Sequence, residues 1–210
     1  MLHEVAGALV EAHDIGLIHR DIKPANIILC RQGGLYDFPK VVDFGLVKDL
    51  EVSGDAALTH ADVIAGTPLY IAPEAITSPG SVGPQSDIYS LGAVGYFALT
   101  GQHVFNGRTL VEVCSHHIHT KPEPPSSRLS QPVPPDLEAL LLECLEKDPS
   151  RRPAGARGLR RRLEACAAFG GWTDDDARAW WEANAAATAP AVTSVSDEDL
   201  TLTRRLDSPA

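Results

Sequence analysis

The sequence predicts a mainly α-helical domain with one short β pair, and three patterns predict it. Apolar residues recur at helical spacing in several separate stretches. Two short β-type runs stand out, residues 27–29 and 40–42. Residues 87–100 are apolar almost all round, as a helix buried at the centre of a domain is.

The elements follow in order. Leu2, Val5, Ala6, Leu9 and Ala12 mark an amphipathic helix to about residue 13, and Gly16 suits its left-handed stop. No capping residue precedes it, so sequence is expected to be missing upstream. The two β runs are separated by the turn-prone Gln32-Gly33-Gly34 and Asp37-Phe38-Pro39, which predicts an antiparallel pair. Residues 46–70 lack periodicity and read as a long loop, a kind that is commonly functional. Gly101 ends the central helix. Thr109 and Glu112 form a capping-box pattern ahead of Val113 and Ile118. A proline-rich connector runs through residues 121–135. Leu137, Leu140, Leu141, Cys144 and Leu145 mark a helix stopped by Pro149, and another spans about residues 154–169. Thr173 and Asp176 repeat the capping-box pattern, with Trp172 as a staple and with Trp180 and Trp181 as packing anchors. The expected organisation is a domain over 1–170, a short tryptophan-containing helix over 171–184 packed on or near it, and a disordered Ala/Thr/Ser-rich tail over 185–210.

The net charge of −10 argues against a nucleic-acid binder, which needs a basic face. The cysteines Cys30, Cys114, Cys144 and Cys166 are scattered with no C-x-x-C pair, so reduced buried thiols in a cytoplasmic protein are expected. The longest apolar stretch, residues 91–99, is too short to span a bilayer. Cys114, His116, His117 and His119 are expected to form a solvated helix face rather than a metal site. The arginines at 151, 157, 160, 161 and 162 are expected to line an exposed helix face.

Four stretches carry chemistry. His19-Arg20-Asp21-Ile22-Lys23-Pro24-Ala25-Asn26 falls in a loop between a helix and a strand. Phosphoryl transfer to a hydroxyl needs a carboxylate near that hydroxyl, a cation over the phosphate and oxygen ligands for magnesium. Asp21, Lys23 and Asn26 supply one of each. Asp43-Phe44-Gly45 follows the second strand, where a carboxylate suits a hard cation and Gly45 frees the backbone. Gly66-Thr67-Pro68-Leu69-Tyr70-Ile71-Ala72-Pro73-Glu74 and Asp87-Ile88-Tyr89-Ser90-Leu91-Gly92 come next, and Arg152 before Pro153 completes the set.

In this order and at these separations the motifs resemble the protein kinase family, over about residues 1–169. Lys23-Pro24 looks like the serine/threonine branch, and the whole is similar to the eukaryotic-like kinases of bacteria. The resemblance implies the helical C-terminal lobe of a kinase, with ATP and Mg2+ as cofactors and a Ser/Thr-bearing protein as substrate. It implies Asp21 as catalytic base, Lys23 as the γ-phosphate contact, Asn26 and Asp43 as magnesium ligands, and Ile28 beneath the adenine. Thr67 would lie in the substrate-docking loop. Glu74 would pair with Arg152, Asp87 would anchor the catalytic loop, and His19 and Phe44 would form the lower part of a hydrophobic column. Arg20 would await a phosphate in residues 48–71, with Thr59 the first candidate and Ser53 the second.

The family's smaller lobe has no counterpart in the sequence: no G-x-G-x-x-G loop and no V-A-I-K lysine occur, and Lys40 is no substitute. The reading is therefore a serine/threonine protein kinase present as a truncated catalytic domain, expected to be inactive alone, with a face toward the missing lobe that could take a protein partner. A non-catalytic lone lobe serving as a binding or regulatory module remains an alternative, and a small-molecule phosphotransferase a more distant one.

Overall fold

The structure is a computed structural model and describes residues 1–44 and 68–185. The chain divides into two compact units, Met1–Thr173 and Asp174–Ala210.

The first unit opens with α1 (Leu2–Asp14), whose buried stripe is Val5, Ala6, Leu9 and Ala12. The strands β1 (Ile27–Gln32) and β2 (Leu35–Val41) follow as an antiparallel pair in which Ile27 faces Val41 and Leu29 faces Pro39. They are longer than the sequence suggests. Asp37-Phe38-Pro39 lies inside β2 and makes no turn. Gly33 and Gly34, both at positive φ (61° and 84°), reverse the chain alone, as a two-residue hairpin requires. Pro39 donates nothing to a ladder, and a strand with a single neighbour tolerates that.

The helices α2 (Pro73–Thr77), α3 (Pro84–Thr100), α4 (Leu110–His119), α5 (Pro135–Cys144) and α6 (Gly155–Glu164) complete the unit. At five residues α2 is too short to show a period. α3 starts earlier than expected because Pro84 fits the first helical position, and it ends on Gly101 at φ 69°. α5 ends at Cys144, short of Pro149, which instead opens a 3-10 turn capped by Asp148. α6 stops at Glu164 rather than near 169. At the start of α4, Thr109 accepts from the Glu112 amide at 3.1 Å, while Glu112 reaches the Arg108 amide at 2.6 Å instead of that of Thr109.

Apolar burial organises the unit around α3. One face meets α1, α5 and α6 through Leu9, Ile88, Leu91, Leu140 and Leu159, together with Ile22. The other meets the α3–α4 connection through Tyr89, Tyr96, Val104 and Phe105. Arg128 closes the proline-rich connector over this side by donating to the carbonyls of His103 and Val104.

The expectation of a solvated face for Cys114, His116, His117 and His119 is corrected in part. Cys114 and His117 are buried, and only His119 is fully on the surface. The reason is that α4 packs on Tyr89 and Phe105, and those aromatic rings accept an imidazole edge. Arg157 pairs with Asp14 and Arg162 with Glu143, so part of the arginine face is tied to neighbouring helices. Among the described residues no helix is long and apolar enough to cross a membrane.

In the second unit, α7 (Asp174–Ala183) carries Trp180 and Trp181 edge to face, with ring centroids 6.1 Å apart.

Candidate active site

Residues 19–26 link α1 to β1 and are held from three sides. The Asp87 carboxylate, fully buried on α3, accepts from the main-chain amides of His19 (2.9 Å) and Arg20 (2.8 Å). Arg20 sits at φ 70°, a conformation that a long side chain adopts only when its surroundings impose it. His13 completes the anchor, its Nε2 donating to Asp87 Oδ2 at 2.8 Å. The sequence reading missed His13. It lies four residues after Leu9 on the buried stripe of α1, which is the signal that could have found it.

The chemistry-bearing side chains converge on Asp21. Lys23 Nζ lies 2.7 Å from Asp21 Oδ2. Asn26 Nδ2 donates to the Asp21 carbonyl (2.8 Å) and to its carboxylate (3.0 Å). With the amide nitrogen committed to Asp21, Asn26 Oδ1 is the atom left for a cation, a hard oxygen of the kind magnesium prefers. Asp21 and Lys23 are both substantially exposed, so their pairing adds little to stability and matters as placement.

Val42 joins this cluster to Asp43. Its amide donates to the Asn26 carbonyl at 3.0 Å, and its own carbonyl accepts from His19 Nε2 at 2.9 Å. Asp43 follows at φ 62°, turned out of the strand and exposed. The His19 ring packs against Phe44, centroids 4.5 Å apart. Pairing puts Ile28 beside Lys40 and Cys30 beside Phe38 on one face of the hairpin, where Ile28 is half exposed.

At the start of α2, Arg152 makes a two-pronged pair with Glu74 at 2.7 and 2.8 Å, and Ser86 donates to the same carboxylate at 2.7 Å. Burial pushes the Glu74 carboxyl up, but these hydrogen bonds together outweigh it and hold its pKa below the usual value. Gly45, Ser53, Thr59 and Thr67 lie outside the described residues. Among the described residues no carboxylate pairs with Arg20.

An anchored loop carrying Asp21, Lys23 and Asn26, beside a strand-end aspartate, gathers the kinds of group that phosphoryl transfer calls for. Residues 1–162 match the family model described as protein kinase domain, and the chain belongs to that family. It is similar to serine/threonine-protein kinase Pkn1 of Myxococcus xanthus, 39% identical over 171 residues, which are 80% of this chain and 24% of the relative. It is also similar to Pkn3 of the same organism, 36% identical over 167 residues (79% and 30%). Serine/threonine-protein kinase PknB of Mycolicibacterium smegmatis is 38% identical over 163 residues (78% and 25%). The chain thus spans at most about a third of the length of these relatives.

Proposed function

We propose that this chain is the larger lobe of a bacterial-type serine/threonine protein kinase and transfers the γ-phosphate of ATP to protein hydroxyls when a complete ATP site is assembled on it. The observation that carries the reading is the convergence of Lys23 and Asn26 on Asp21, next to Asp43. Asp21 orients the substrate hydroxyl and takes up its proton. Lys23 offsets charge on the phosphate. Asn26 Oδ1 and the Asp43 carboxylate would hold magnesium, which neutralises the phosphate oxygens. Ile28 offers an apolar floor to the adenine. Positioning and electrostatics are most of this catalysis, so a lobe alone is expected to be slow.

The regulatory part of the proposal rests on Arg20. A phosphate on the loop that contains Thr59 would give it a charge-assisted partner and order that loop.

The test is binding of a fluorescent ADP analogue with and without magnesium, alongside phosphate transfer from ATP to a Ser/Thr peptide. Magnesium-dependent binding that disappears in Asp43→Asn, with little transfer by these residues alone, is the expected result. A second reading, a non-catalytic lobe that binds a protein, is favoured by the exposed Ile15, Leu17, Ile28 and Phe38. Nucleotide binding indifferent to both magnesium and Asp43 would support it over the first.

A further inference from the structure

Past α6 the chain forms a strap over residues 165–173 that the proposed phosphate chemistry leaves unused. Cys166 buries its beginning. The Ala167 amide donates to Asp136 Oδ2, at the start of α5, at 2.6 Å. The Phe169 ring meets His3 of α1 edge to face, with centroids 5.1 Å apart. Gly170, at φ 76°, then turns the chain, which a residue without a side chain does at no steric cost. Trp172 reaches the hairpin: its indole Nε1 donates to Asp37 Oδ2 on β2 at 2.8 Å. Side chains of α5, α1 and β2 thus hold the strap in turn.

The strand itself presents Asp37 to the indole. Cys30 pairs with Phe38 and Gln32 with Leu35, so Tyr36 and Asp37 together oppose Arg31, and β2 carries a bulge. Asp37 sits in it at φ 54°, a conformation that aspartate tolerates better than most residues. A bulge bends its strand and re-aims a side chain, and here the re-aimed carboxylate is the one that accepts from Trp172. The position along the hairpin gives this contact its weight. Ile27 and Val41 pack on the core at one end, whereas Leu35 and Phe38, near the turn, are exposed. Two strands alone are marginal in water, so a grip near the turn limits fraying and fixes the twist. The same strand runs on through Lys40, the partner of Ile28, toward Val42 and Asp43.

We propose that Trp172 is a positioning residue: by gripping the Asp37 bulge it fixes the β1–β2 hairpin, and so couples the chain that follows α6 to the Ile28 floor and the Asp43 carboxylate. The grip stands on the geometry, and its consequence for nucleotide rests on the kinase reading.

Hydrogen exchange on the full chain tests the grip. In Trp172→Phe, which keeps a ring and loses the donor, the amides of residues 29–38 are expected to exchange roughly fivefold faster, about one lost hydrogen bond, while those of α3 keep their rates. Asp37→Gly suits the positive φ but lacks the acceptor, and shows at least that loss. Asp37→Asn still offers an oxygen to the indole and restores slow exchange. The double variant Trp172→Phe/Asp37→Gly is no faster than Asp37→Gly alone, because both remove one contact. Acceleration spread over the whole domain, or additive effects in the double variant, would reduce Trp172 to packing and overturn the proposal. The indole proton of Trp172 is read separately: it is protected in the wild type and exposed in Asp37→Gly, and a wild-type indole proton that exchanges like a free one contradicts the grip. A fluorescent ADP analogue with magnesium reads the coupling. Trp172→Phe is expected to bind it on the order of fivefold more weakly, and by reciprocity saturating analogue slows exchange of the wild-type indole proton. A wild-type chain that binds no analogue counts against the kinase reading and leaves the hairpin result in force. Equal affinity in the two proteins, with a loosened hairpin, would keep the grip and remove the nucleotide from it.

Discussion

Asp87 holds Arg20 in a left-handed backbone conformation, accepting its main-chain amide at 2.8 Å from the middle of the domain. A buried carboxylate with a second amide donor and a histidine donor satisfies its charge through the loop it restrains and through α1. The arrangement makes the shape of residues 19–26 a property of the core.

Replacing Asp87 should therefore affect stability and site together. In Asp87→Ala the two amides lose their acceptor and Arg20 loses the reason for its φ, at about 3 kcal/mol or more. Asp87→Asn keeps one acceptor but turns a donor toward the other amide, so it recovers only part. Urea unfolding measures the cost, and magnesium-dependent nucleotide binding should fall in the same order. An Asn variant as stable as the wild type would contradict this.

The Glu74–Arg152 pair supports a sharper comparison. Both groups are buried, and each single removal strands the other's charge, so Glu74→Ala and Arg152→Ala should each cost about 3–5 kcal/mol. The double variant should cost much less than the sum. In acid, Glu74 itself is a source of instability: its folded pKa lies below the unfolded one, so its contribution is present above the unfolded value and is lost as pH falls through the folded one. A double-mutant cycle by denaturation reads the coupling, and strictly additive losses would refute it.

His117 sets a different pH window. Burial lowers its pKa to about 3. The unfolded chain binds the proton first, near the ordinary histidine value, so stability falls as pH drops below that value and goes on falling toward the folded pKa. His103 shifts the same way through burial. Thermal unfolding between pH 7 and 5, a span chosen around the ordinary histidine pKa of about 6.5, should show a declining midpoint that is shallower in His117→Asn. Equal slopes in the two proteins would rule this out.

The proximity of the candidate site residues was legible in the sequence because they are nearly contiguous. Asp21, Lys23 and Asn26 lie within one short loop and Asp43 follows β2, so their order and spacing, read with the family resemblance, grouped them. Elements whose identity is settled by a distant partner were harder. His13 and His117 read as ordinary polar residues until Asp87 and Tyr89 face them. Asp37-Phe38-Pro39 carries turn chemistry that Gly33-Gly34 makes unnecessary. The short α2 has no period to detect, and Glu74 in its first turn is tied to the distant Arg152.

The glycines of α3 give a final prediction in which local and tertiary preferences oppose each other. In a free helix, Gly→Ala is favourable by about 1 kcal/mol. At Gly92 an added Cβ would meet Cys144 Cβ at 2.5 Å, with the Cys144 backbone at 3.5 Å, so α3 and α5 would have to move apart. At Gly95 the nearest atoms are Leu141 Cδ2 at 2.7 Å and Leu2 Cδ1 at 2.8 Å, the ends of side chains that can rotate. Gly92→Ala should destabilise by about 2–3 kcal/mol, and Gly95→Ala should stay within about 1 kcal/mol of the wild type, because rigid overlap in a packed core costs more than side-chain rearrangement. Denaturation midpoints of the two variants settle the order. A Gly92→Ala protein as stable as Gly95→Ala would mean that the close approach of α3 to α5 is not what requires a glycine there.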